Sequence, residues 1–170
     1  MKTVNLLLGN SEGRVNNLIE ALMRDVCDNH AIVHSIRTAR VDEFIRQGCE
    51  GDFDLAIVIP DNLLPDPSRR TALSSIGEAV RAFEAIKKQR YTPIIAVAVC
   101  AQYETLLSDA GADCVLELPF NCDQLKEAIR RLLTLSTQQQ PQLQEEELAA
   151  PRPWSLAGTL MRGWQRLTEA

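Results

Sequence analysis

The stretch GADCVLELPF, residues 111–120, decides how the rest of the chain is read. Gly111 stops a helical pattern, Cys114–Leu118 is an apolar run of strand length, and Pro119-Phe120 leads into a new helical pattern opening at Cys122. The same alternation extends back to the amino terminus. Apolar runs at Val4–Leu8, Ala31–Ile36, Leu55–Ile59 and Pro93–Val99 predict four more strands. Between them, Val15, Leu18, Ile19, Leu22, Met23 and Val26 keep the helical period after Ser11-Glu12. Shorter helices are expected over Val41–Gln47 and Gln102–Ala110, with longer ones over Ile76–Gln89 and Cys122–Leu135. Pro60–Ser74 reads as a long loop. The strands are unbroken rather than alternating, which predicts helices on both faces of a doubly wound, five-stranded parallel sheet. In such sheets, chemistry lies beyond the carboxyl ends of the strands. That directs attention to Gly9, Asn10, Ile59 to Asn62, Ala98 to Ala101 and Leu118 to Phe120.

Composition narrows the function classes. The 170 residues carry a net charge of −5 with 45% hydrophobic and 24% charged residues, a soluble globular composition without the basic face of a nucleic-acid binder. No apolar run approaches the roughly 20 residues of a membrane span, and Met1-Lys2-Thr3 runs straight into a strand, so the expected location is cytoplasmic. Cys27, Cys49, Cys100, Cys114 and Cys122 form no CxxC pair, and His30 and His34 have no metal-ligand spacing, so neither a metal site nor a disulfide framework is expected. No glycine-rich phosphate loop and no spaced nucleophile and base occur. The expectation is a chain without enzymatic activity or cofactor.

The order and spacing of DFDLAIVIPDNLLP (52–65), PIIAVAV (93–99) and GADCVLELPF (111–120) resemble the receiver domain of bacterial response regulators, over roughly residues 3–135. The resemblance implies a flavodoxin-like (βα)5 fold and a place in two-component signal transduction. It also implies a cis peptide at Leu118-Pro119. In that family, an acidic pair after the first strand and an aspartate ending the third hold Mg²⁺, the aspartate accepting a phosphoryl group. A Thr or Ser ends the fourth strand and a Lys precedes the proline of the fifth. Carboxylates suit the hard cation, and hydroxyl and ammonium groups meet phosphoryl oxygens. Carried across, the acidic pair falls on Gly9-Asn10, the acceptor on Ile59, the hydroxyl on Ala98, the lysine on Leu118 and the switch aromatic on Val115.

The loss is coherent. A lone charge left among Ile, Ala and Leu costs several kcal/mol, whereas burying an Ile or Leu side chain contributes about 1.5–3 kcal/mol. The expectation is a degenerate pseudo-receiver whose pocket has become core, with Leu118 packed on Ile59 and Ala98. Asp61 has two readings: a turn residue, or, with Asn10, Glu12 and Asp66, part of a cation site, and a two-residue shift of register would make it the phosphoacceptor. Cys100 and Cys122 offer a cysteine-based redox sensor on the same fold as a further alternative, because Cys122 opens a helix whose dipole lowers a thiol pKa.

By the same resemblance, protein recognition uses a surface drawn here from Tyr103, Leu106, Leu107, Val115 and Glu117. Residues 136–150, rich in Gln and Glu, read as a linker. In residues 151–170, Trp154, Leu160, Trp164 and Leu167 recur at helical spacing, predicting an amphipathic C-terminal helix that packs on its own domain, on a second subunit as a homodimer, or on a protein partner. Three arginines without a lysine make attachment to a membrane surface weak.

Overall fold

The computed structural model describes residues 2–27, 30–65 and 74–134. In chain order the elements are β1 (Lys2–Gly9), α1 (Gly13–Val26), β2 (Ala31–Thr38), α2 (Val41–Glu50), β3 (Leu55–Val58), α3 (Ser75–Gln89), β4 (Ile94–Ala98), α4 (Glu104–Asp109), β5 (Cys114–Glu117) and a final helix, α5, over 122–134. Short 3-10 turns occupy Pro60–Asn62 and Ala101–Tyr103. The strands are parallel in the order β2-β1-β3-β4-β5, which is the expected flavodoxin-like arrangement. The peptide Leu118-Pro119 is cis, and Gly111 takes a φ of 114° where α4 ends.

The most apolar runs take the middle of the sheet. Leu6, Leu7 and Leu8 of β1 and all of β3 and β4 are buried. On one face Ile19, Leu22 and Met23 of α1 join Leu125, Ile129 and Leu132 of α5 over Leu6, Leu8, Leu55 and Ile57. On the other, Val41 and Phe44 of α2 and Phe83 and Ile86 of α3 pack with Leu7, Ala56 and Val58. Burial of each such side chain contributes about 1.5–3 kcal/mol.

The edges differ from the expectation of a sheet covered on both faces throughout. β2 alternates between half-buried and exposed residues over most of its length, and β5 is only half-buried, because each has one neighbouring strand and incomplete helix cover. Leu18, assigned to the apolar side of α1 by its spacing, is exposed. At the carboxyl end of β2 the strand runs past Ile36: Thr38 donates its Oγ1 hydroxyl to Leu8 O at 3.0 Å, and Arg37 reaches α1.

That reach pins the edge strand to α1. Glu20 is buried, accepts Arg37 Nε and Nη2 at 2.8 Å each through its two oxygens, and accepts Ser35 Oγ at 2.6 Å. The Arg37 hydrogen bonds hold the Glu20 carboxyl below the ordinary carboxylate range, against the opposing effect of burial. A depressed folded-state pKa contributes stability above the ordinary value of about 4.3 and loses it as pH falls through the folded value. Glu20→Gln is therefore expected to lower stability by about 1 kcal/mol at pH 7 and to flatten the acid limb below about pH 4.5, read by urea unfolding across pH.

Thr92, fully buried just before β4, carries a hydroxyl with no hydrogen-bond partner. Valine has nearly the same shape without the stranded polar group. Thr92→Val is expected to raise the unfolding free energy by about 1 kcal/mol in denaturant titration.

Candidate functional site

The carboxyl edge of the sheet brings Gly9, Asn10, Ile59, Ala98 and Leu118 together through backbone bonds. Ile59 donates its N–H to Gly9 O at 2.9 Å, and Leu118 donates to Ala98 O at 2.9 Å. Asn10 donates to Thr38 O at 2.9 Å, linking β1 to the end of β2. Neighbouring strands in register put Gly9 opposite Val58 and Ala98 opposite Glu117.

Gly9 is closely covered. A Cβ there would lie 2.8 Å from Phe44 Cδ2 and 2.8 Å from Val58 Cγ2, both side chains being fully buried. Phe44 thus fills the space beside β1 from α2. Sequence reading did not single it out, since a phenylalanine on an amphipathic helix carries no mark distinguishing a pocket-filling role from ordinary core.

Asn10 is buried, and its side chain is turned into the β1–α1 loop. Its Nδ2 donates to Glu12 O and to Asn16 Oδ1, each at 3.1 Å, and its Oδ1 accepts Glu12 N at 3.2 Å. Asn16 Nδ2 returns a bond to Asn10 O at 3.1 Å. Both amide donors are spent within the loop, and the pair organises the start of α1, where Glu12 makes no side-chain cap. Asn16, the second partner, was also missed by sequence reading; the spacing of two asparagines across a helix start was its single trace.

Ile59 and Ala98 are buried, as expected, but Leu118 is 38% exposed. The hydrocarbon there is a wall of an open cavity of about 400 Å³ rather than core; its other lining includes Val115, Leu116, Glu117, Phe120 and Gln124. Leu118 lies one residue past the end of β5, the outer strand of the sheet among the described residues. Asp61 is exposed on the 3-10 turn and accepts the Ser75 hydroxyl at 2.6 Å. Asp66 lies outside the described residues. Among the described residues, no three His, Cys, Asp or Glu side chains gather as a metal-binding set. Gly9, Ile59, Ala98 and Leu118 present no carboxylate, the Asn10 oxygen accepts Glu12 N, and Asp61 accepts the Ser75 hydroxyl, so these residues do not assemble a carboxylate set for Mg²⁺.

Of the expected recognition surface, Leu106 is 47% exposed on α4, whereas Leu107 is fully buried in the core and is corrected to a packing residue. Adjacent helical positions point about 100° apart, and on α4 the direction of Leu107 is the one that meets the core, while Glu104, Thr105 and Leu106 face outward. Tyr103 and Val115 pack partly against the same core. Glu117 is exposed and accepts Ala101 N at 3.1 Å, tying β5 to the turn before α4. Trp154, Leu160, Trp164 and Leu167 lie outside the described residues. Cys100 and Cys122 are exposed thiols beyond β4 and at the start of α5, while burial pushes the Cys49 and Cys114 thiols up. His30 and His34 are both exposed.

No protein-family model and no curated protein matches the sequence. Solved structures do share its fold. The receiver domain of a sensor histidine kinase from Pseudomonas aeruginosa, solved with a magnesium ion coordinated in its active-site cleft, superposes with a TM-score of 0.58 at 20% identity, covering 78% of this chain and 98% of that one. A receiver domain of a Francisella response regulator gives 0.58 at 15% identity, covering 78% and 98%. A CheY-like receiver domain from Methanospirillum hungatei gives 0.58 at 16%, covering 81% and 98%. The likeness is one of fold: the chain folds as response-regulator receiver domains do.

The fit around Gly9 is open to direct measurement. Gly9→Ala forces a methyl group against the Phe44 ring and Val58, and is expected to cost about 1–3 kcal/mol in denaturant unfolding. Its partial recovery in a Gly9→Ala, Phe44→Leu double variant would identify the ring as the clashing group.

Proposed function

We propose that this chain is a pseudo-receiver, a signalling or scaffolding module that works by binding protein and does not depend on phosphorylation. The inward commitment of Asn10 carries the reading. Where a Mg²⁺-dependent receiver needs carboxylate oxygens turned to a cation, this chain has a neutral amide whose oxygen accepts Glu12 N and whose donors go to Glu12 O and Asn16 Oδ1. The cover over Gly9 adds to this, since a longer side chain there would collide with Phe44 and Val58. Buried Ile59 and Ala98 supply neither an acceptor carboxylate nor a hydroxyl, and Leu118 supplies no ammonium. Gly9, Asn10, Ile59, Ala98 and Leu118 then form a degenerate phosphorylation pocket.

Communication passes instead through surface. Leu106 and the cavity walled by Leu118 and Phe120 offer exposed hydrocarbon next to the Glu117 carboxylate at the β5 edge, a mixture suited to a protein partner. Among the described residues, no helix is long and apolar enough to cross a membrane. The tail bearing Trp154, Leu160, Trp164 and Leu167 is a second candidate recognition element on the strength of its sequence.

Incubation of the full chain with a small acyl phosphate donor and Mg²⁺ is the test. Intact-mass spectrometry is expected to find no added phosphoryl group. A labile adduct that Asp61→Asn abolishes would overturn the reading in favour of a divergent receiver.

A further inference from the structure

The outer side of β2 is an unguarded sheet edge. The strand is eight residues long, pairs among the described residues with β1 alone, and contains no proline, lysine or glycine in Ala31–Thr38. Edge strands normally carry such residues, or bulges, to prevent pairing with other chains. Its one formal charge, Arg37, is turned onto Glu20 and Asn17 of α1.

The register with β1 puts Ile32, His34 and Ile36 beside Thr3, Asn5 and Leu7, on the sheet face that α2 and α3 cover further in. Helix α2 contributes Val41 and Phe44 to the cluster around Leu7 and Val58, and the cover stops there. Ile32 remains 45% exposed and Ile36 41% exposed, with His34 exposed between them.

We propose that β2 pairs antiparallel with β2 of a second copy, about a two-fold axis through His34. The self-complementarity of the strand selects this occupant. Ile32 and Ile36 stand two residues on either side of His34, so the two-fold brings each Ile32 opposite Ile36 of the other copy, on one face and in both halves. On the opposite face, Val33 meets Ser35 and Arg37 meets Ala31, so the arginines do not oppose each other. Such a contact is isologous and closes on itself, joining two five-stranded sheets into one and consuming both exposed edges. A foreign strand would have no need of this symmetric spacing. The surface lies at the opposite end of the sheet from Leu118 and is independent of the pseudo-receiver reading.

Sedimentation velocity of the full chain over a concentration series tests the proposal. Wild type is expected to dimerise, and Ile36→Glu to weaken the dimer about a hundredfold by placing a carboxylate against Ile32 at both symmetric contacts. The register is tested by two double variants with equal surface disturbance. Ile32→Lys with Ile36→Glu sets opposite charges face to face and is expected to return association to within about tenfold of wild type. Ile32→Lys with Ile36→Lys sets like charges together and is expected to stay monomeric. A wild-type chain that remains monomeric, a dimer indifferent to Ile36→Glu, or equal behaviour of the two double variants would overturn the proposal. Circular dichroism of the two double variants, expected to match wild type, separates loss of pairing from loss of fold.

Discussion

The approach of the Phe44 ring to the backbone of Gly9 determines how the carboxyl edge of this sheet is built. The strand, not its side chain, forms the floor at that point, and the helix following β2 closes over it. Phe44 and Val58 are both fully buried, so neither can swing away without opening a void in the layer beneath α2 and α3. A buried ring and a small backbone position support each other here. Changing one without the other leaves either a clash or a cavity.

The next residue shows the polar side of the same constraint. Once Gly9 is sealed, Asn10 is buried as well, and a buried amide must find partners. It finds them in Glu12 and Asn16, so the cost of burial is offset by a loop that starts α1 in a defined place. Sealing the edge with hydrocarbon and folding the polar residue inward are therefore linked: water is kept out on one side, and hydrogen bonding is completed on the other. Leu118 stands apart from this logic: it lies just past the end of β5, and its side chain borders an open cavity.

The parts of the fold legible in the sequence were those governed by a single period. The unbroken runs of β1, β3 and β4 and, Leu18 apart, most of the repeating apolar positions of α1 read correctly because two-sided burial and helical amphipathicity each leave one pattern. Boundaries were less legible where polar residues take part in packing. β2 runs on through Arg37 and Thr38 because one pairs with Glu20 and the other bonds Leu8, long-range partners that no local window contains. Leu106 and Leu107 show a different limit, since a helix of six residues has too few turns to reveal its phase and residue type alone cannot separate two leucines. At the edge itself, Ile59, Ala98 and Leu118 were legible as apolar residues at the carboxyl ends of strands, but the parts played by Phe44 and Asn16 were not. Their contribution is to fill space and accept a bond across elements, which depends on tertiary geometry.

The two ends of the sheet are finished in different ways, and the contrast follows from strand length. β5 is four residues long, and its exposed flank turns at once into Leu118-Pro119 and α5, so little continuous backbone edge is offered there. β2 is twice that length and is followed by α2 only after Thr38, leaving a longer run of edge backbone. The Glu20–Arg37 contact anchors one face of the strand to α1 and pairs the strand's one formal charge. The ion pair secures β2 to its own domain on the α1 face, while the opposite face carries Ile32, His34 and Ile36 without a formal charge.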